Sequence, residues 1–274
     1  MNSEQKKEKT QRSSLRIRAA CCSDRGLIRP KNEDNFWFDG KYMDAGTDGS
    51  DGILSAAYEW PLPSGEDLFF AVFDGVGGAQ YGEQASTTAS MAAGNLVSRL
   101  GESGSVELPS ILDDLYSELN QAVLRRRDEL DAYDICTTAV SLLFHDDHVW
   151  CSNAGDSRCY VFKDGELTQI SVDHNTAQAF LMLGITYIKP MLTQYLGQDT
   201  AELEFRPTHS GVPFESGTAF VLCSDGLTDL VNERRIRDIL ADEPDPDCAV
   251  EALVASSLAN GGRDNITVIV VRIG

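Results

Sequence analysis

The chain has 274 residues, 42% hydrophobic and 24% charged, with 43 Asp and Glu against 23 Lys and Arg and a formal net charge of −20. This length and balance suit a folded domain with a full core and exclude a disordered chain. The acidity argues against a nucleic-acid partner, whose phosphates it would repel, and favours cations wherever carboxylates converge.

The basic start, KKEKTQRSSLRIR, lacks the apolar core of a signal peptide, and no apolar stretch approaches a membrane span. The expectation is a cytosolic protein without membrane contact, opening with a flexible tail over residues 1–15 that becomes a strand near Leu15 to Cys22. A short strand, DNFWF, follows. Gly40 to Asp67 reads as a polar insertion of exposed turns, since its DAGTDGSDG lacks the spacing of a calcium loop. The apolar run LFFAVF predicts a buried strand, then a helix from about Gln80 to Leu100 with Ala85, Ala89, Ala92 and Leu96 on one face. A second helix is predicted over Pro109 to Glu129 through Ile111, Leu115, Leu119 and Val123. Strands then recur in TTAVSLLF, HVWCSNA, RCYVFK, LTQIS and TAFVLC, and two short helices precede a last strand, NITVIVVRI.

Strands in meanders with helices added in pairs predict an α+β fold. The expected architecture is two packed antiparallel β-sheets with a helical layer outside each, in one domain over residues 16–274. The seven cysteines include no C-x-x-C pair and lie mostly in apolar strand-like runs. They read as buried thiols in a reducing compartment, with Cys223 part of the core. With no exposed apolar stripe evident, a monomer is expected.

The Gly-rich turn in LFFAVFDGVGGAQYGEQAS has two readings, a phosphate cradle or a metal site. A P-loop needs Lys and Ser/Thr after its last glycine, whereas Ala79, Gln80 and Tyr81 follow Gly77 and Gly78, and the glycine spacing also misses the dinucleotide fingerprint. What remains is Asp74 at a strand end, by itself an ordinary turn residue. Three further segments repeat the pattern. RPKNEDNF starts a strand with Glu33 and Asp34, FVLCSDG ends one at Asp225, and GGRDNITV opens one after Asp264. Four such Asp residues at close range would raise one another's pKa values unless cations neutralised them. Oxygen ligands point to Mg²⁺ or Mn²⁺, and four His without a thiolate cluster argue against zinc.

Taken in order, RPKNEDN, FDGVGG, CTTAV, NAGDSRCYVF, VDH, LTQYLG, LCSDGLTDLV and GGRDNITVIVV resemble the motifs of the metal-dependent Ser/Thr protein phosphatases of the 2C type, over about Arg16 to Gly274. The resemblance implies the same sandwich and a centre of two Mg²⁺ or Mn²⁺ ions. Asp74 would bridge the metals and the Gly75 carbonyl would bind one. Asp225 and Asp264 would hold the first metal, Glu33 and Asp34 would act on the second, and Asn265 would orient Asp264. Arg29 would grip the substrate phosphate. The implied reaction is hydrolysis of phosphoserine and phosphothreonine in proteins, opposing a Ser/Thr kinase, by a metal-activated water without a covalent phosphoenzyme.

The match departs in three places. Val76 stands where some members carry a His that serves as general acid. The segment after VDHNTAQAFLMLGIT reaches its LTQYLG early, with Gln194 in place of a common Arg, which predicts a short flap. His174 beside it reads as structural. A third metal site would rest on Asp131 or Asp134, between which spacing does not choose. The rival function is a phosphatase-fold module that binds a signalling partner without catalysis, against which the full set of costly carboxylates argues.

Overall fold

The computed structural model describes residues 14–61, 67–76, 81–100, 108–184, 190–201 and 203–274. Residues 1–13 of the expected tail and Gly77 to Gln80 of the Gly-rich turn lie outside them. The elements, in order, are β1 (Ser14–Asp24), β2 (Asp34–Phe38), β3 (Leu54–Pro61), β4 (Leu68–Asp74), α1 (Gly82–Leu100), α2 (Leu108–Glu129), β5 (Ala139–His145), β6 (His148–Ala154), β7 (Arg158–Lys163) and β8 (Glu166–Gln169). They continue with α3 (Ala177–Met182), β9 (Thr208–Pro213), β10 (Ala219–Cys223), α4 (Asp225–Thr228), α5 (Glu233–Asp242), α6 (Pro246–Ala259) and β11 (Ile266–Ile273).

The strands form two antiparallel sheets, in the orders β3-β1-β11-β10-β7-β8 and β2-β4-β5-β6-β9. Their inner faces meet in one core, where Phe36, Phe70 and Leu142 of the second sheet pack with Ile17, Leu222 and Ile269 of the first. Phe144 sets its ring edge-on to Phe70, Phe214 and Phe220, a favoured arrangement of aromatic quadrupoles. The outer faces are covered as well. Val221, Val268 and Val270 lie under Ile236 and Leu253 of α5 and α6. Phe69, Ala71 and Phe73 lie under Ala85, Ala89 and Leu119 of α1 and α2. Burial on both faces explains why β4 and β11 read as unbroken apolar runs. The small residues of α1 let that helix approach the sheet closely, with Ala93 rather than Ala92 fully buried.

The insertion 40–67 is more than exposed turns, for it contains β3, which pairs with β1 along the sheet edge. Strand β9, pairing with β6 at an edge of the other sheet, was likewise outside the sequence expectation.

Strand register brings the carboxylates to one end of the sandwich. Antiparallel pairing sets Asp34, first in β2, opposite Asp74, last in β4. In the facing sheet Cys223 of β10 pairs with Val268 of β11, so Asp225 just beyond β10 and Asp264 just before β11 emerge side by side.

Candidate active site

These ends open on a cavity of about 370 Å³ whose wall carries Asp74, Asp134, Asp156, Asp225, Asp264 and Arg29. Backbone packing fixes the acidic residues. The Asp74 N–H donates to Thr138 Oγ1 at 3.1 Å and the Thr138 N–H donates to the Asp74 carbonyl at 2.8 Å, tying β4 to the segment before β5. Gly75, also on the wall, donates its N–H to the Glu33 carbonyl at 3.1 Å, and a Cβ at this position would collide with the backbone carbonyls of Glu33 and Gly82. Gly226 permits the second close approach: a Cβ there would strike the Asn265 carbonyl, so glycine lets α4 seat Asp225 next to Asp264.

Arg29 Nη2 donates to Asp264 Oδ2 at 2.6 Å, and Nη1 stands 4.0 Å from Glu33. Asp34 is buried behind the cavity wall and accepts a 2.7 Å bond from Ser224 Oγ, which links the two sheets beneath the site. Glu33 is also absent from the wall. Its carboxylate pairs with Lys31 at 3.1 Å, and Lys31 is held in turn by Glu83 of α1 at 2.5 Å. Asn265 meets Asp264 through its backbone and the neighbouring loop through its side chain. Its backbone N–H donates to Asp264 Oδ1 at 2.9 Å, while its amide bonds the Arg25 and Lys31 carbonyls and the Glu33 N–H, clamping the loop that carries Arg29.

Of the two alternatives for a third site, Asp134 is on the wall and Asp131 is not. Asp131 is exposed in a left-handed turn after α2. His174 is bound to Gly155, donating its N–H to that carbonyl at 3.0 Å and accepting the Gly155 N–H on Nδ1 at 3.3 Å, as a structural histidine would. Gln194 holds the backbone of Glu204 and Arg206. Asp156 was missed, although its signal was legible: in NAGDSR an Asp stands two residues beyond a strand end and beside a glycine, as Asp225 does after β10. Its carboxylate accepts from Asn175 at 3.0 Å.

Burial and mutual repulsion set the electrostatics. Desolvation and then the charge of Asp156 push Asp225 up to about 7. Asp34 rises to about 6, chiefly through burial and against the hydrogen bond from Ser224. Asp74 lies well above the usual carboxylate range, through burial and then Asp34 and Asp225. Burial also raises Asp156. One guanidinium on the wall does not balance five carboxylates. Among the described residues no three acidic, His or Cys side chains close into a ready-made metal cage. An oxygen-only set that is largely half-buried, mutually repelling and open to a cavity with room for several waters instead fits a hard divalent cation that keeps part of its water shell.

The sequence matches the profile of the protein phosphatase 2C family over residues 56–245. It is 30% identical over 265 residues to the serine/threonine protein phosphatase PstP of Mycobacterium tuberculosis, covering 94% of this chain and 45% of that protein. It is 29% identical to the serine/threonine phosphatase stp of Listeria welshimeri, covering 91% and 93% of the two chains. The crystal structure of the PstP catalytic domain in complex with two manganese ions superposes with a TM-score of 0.73 at 29% identity, over 94% of this chain and 99% of that one. The chain thus spans less than half the length of the mycobacterial relative.

Proposed function

The chain belongs to the protein phosphatase 2C family, and from that premise we propose that it hydrolyses phosphoserine and phosphothreonine in proteins, opposing a Ser/Thr kinase and working as a monomer. The observation that carries the reading is the convergence of five carboxylates and Arg29 on one cavity. Asp74, the Gly75 carbonyl, Asp225 and Asp264 would hold two Mg²⁺ or Mn²⁺ ions, the metal content of the mycobacterial structure, with Asp34 supporting Asp74 from beneath. Asp134 is the better placed of the two residues for any third ion. Bound there, the cations would neutralise the carboxylates, draw electron density from the phosphoryl oxygens and make a coordinated water acidic.

The rest falls to the chain's own residues. Arg29 offers a planar fork of donors to the equatorial phosphoryl oxygens, oriented by Asp264 and by the loop that Asn265 clamps. The thiol on the wall, Cys136, is pushed up to about 12 by burial and by Asp134 and Asp74, so it stays protonated at neutral pH and is no nucleophile. Water therefore takes the phosphoryl group directly. The P–O bond to the Ser or Thr oxygen breaks, and that oxygen gains its proton from water, since Val76 brings no titratable group to the wall.

The test is phosphate release from a phosphothreonine peptide with Mn²⁺, with Mg²⁺ and with a chelator. Release that either metal supports and the chelator abolishes is the expected result. Folded protein that releases nothing with either metal refutes the proposal and leaves the binding-module reading.

A further inference from the structure

The segments that carry wall residues, or are bonded to them, also carry side chains of a kind folding normally hides. Tyr133, next to Asp134, is 99% exposed. Leu181 and Met182 of α3 are 70% and 78% exposed, and Leu183 follows them outward. The α3 segment is fastened to the cavity wall: Thr176 donates its N–H to the Met191 carbonyl at 2.9 Å, Met191 returns its N–H to Thr176 Oγ1, and Met191 is itself a wall residue, 63% exposed. Leu27 and Ile28, directly before Arg29, are exposed as well. Seven of the twelve large apolar side chains exposed among the described residues thus lie on segments that carry wall residues or are bonded to them, although the sequence had shown no apolar stripe. Scattered singles need no explanation, but apolar surface concentrated at a cleft marks a binding site.

We infer that this collar selects phosphoproteins with apolar residues beside the phosphorylated Ser or Thr. The inference rests on the phosphatase reading. A phosphoryl group seated against Arg29 fixes its own residue in the cavity, so the residues before and after it must cross the mouth. There they meet Tyr133 on one segment and α3 with Met191 on another. Apolar neighbours remove these side chains from water, whereas polar neighbours surrender hydration with no partner to replace it.

The experiment compares kcat/KM, with Mn²⁺, for two phosphothreonine peptides that differ only in carrying Leu or Ser on either side of the phosphoresidue, and for p-nitrophenyl phosphate. It uses the wild type and a triple variant, Tyr133→Ser, Leu181→Gln and Met182→Gln, whose exposed positions leave the core untouched. The wild type should prefer the Leu peptide by about tenfold, as burial of two partly covered side chains predicts. The triple variant should bring the ratio close to one while keeping p-nitrophenyl phosphate turnover within about twofold. Equal rates for the two peptides in the wild type, with the ester still hydrolysed, overturn the collar and leave the phosphatase standing. A preference that survives in the triple variant also overturns it. A wild-type dimer that the substitutions dissociate, without change in peptide preference, assigns the surface to a second copy instead. No turnover of any of the three substrates removes both readings.

Discussion

Arg29 reaches the cavity with one nitrogen bonded to Asp264, and that contact aims its guanidinium without neutralising the acidic wall. Arg29→Ala should therefore raise KM for a phosphopeptide about tenfold or more with a smaller fall in kcat, since phosphate is gripped in ground and transition states alike. An unchanged KM in steady-state kinetics would take Arg29 out of the site. Gly226 makes a different kind of contribution. Adding a methyl group drives it against the Asn265 carbonyl, and Gly226→Ala should destabilise the fold by about 1–3 kcal/mol, measurable in denaturant unfolding. At this scale much was legible, because each acid sits at a strand end beside a glycine or turn residue. Glu33 and Asp131 were less so: an acid two residues from Lys31 and one in an exposed turn look in sequence like acids that face the cavity, and only the fold separates them.

Among the elements, the loop between β1 and β2 depends on one side chain from the far end of the chain. Asn265 supplies two donors and one acceptor to the backbone of Arg25, Lys31 and Glu33. Asn265→Ala leaves those groups unpaired at a cost of about 1–3 kcal/mol for each that stays buried, and it frees the segment carrying Arg29. Stability should fall, and KM for phosphopeptide should rise in the variant that still folds; a stable variant with wild-type KM would show that the clamp is dispensable. The strands with two buried faces were readable as unbroken apolar runs, whereas β3 and β9 were not. LSAAYEWP and THSGVP hold residues of weak strand preference, and each lies at a sheet edge with one neighbour, where pairing to a formed partner decides the structure rather than local propensity. The short α3 and α4 carry too little periodicity to announce themselves.

Across the whole molecule, 43 acidic residues dominate, and the cavity wall gathers five of them, four half-buried, with Asp34 buried behind it. Asp34 and Asp225 are pushed up to about 6 and about 7, above an unfolded carboxylate near 4. The metal-free folded state thus binds more protons than the unfolded state between about pH 4 and 7, and this cluster's contribution to stability is lost as pH rises through that window. Divalent cations reverse the effect by replacing the protons, so Mn²⁺ should stabilise strongly at pH 8 and weakly at pH 5. At a hundredfold excess over Kd the gain is about 2.7 kcal/mol, or roughly 5–10 °C in Tm. Equal shifts at the two pH values would place the bound metal elsewhere. No described helix is long and apolar enough to cross a membrane. The central claim is that Asp225 and its neighbours hold the metals that make the cavity catalytic, and it is met most directly by phosphate release from a phosphothreonine peptide by Asp225→Asn at saturating Mn²⁺. A folded variant with wild-type unfolding behaviour and turnover at least about a hundredfold lower is the predicted result, and near-normal turnover by the same folded variant would contradict the assignment.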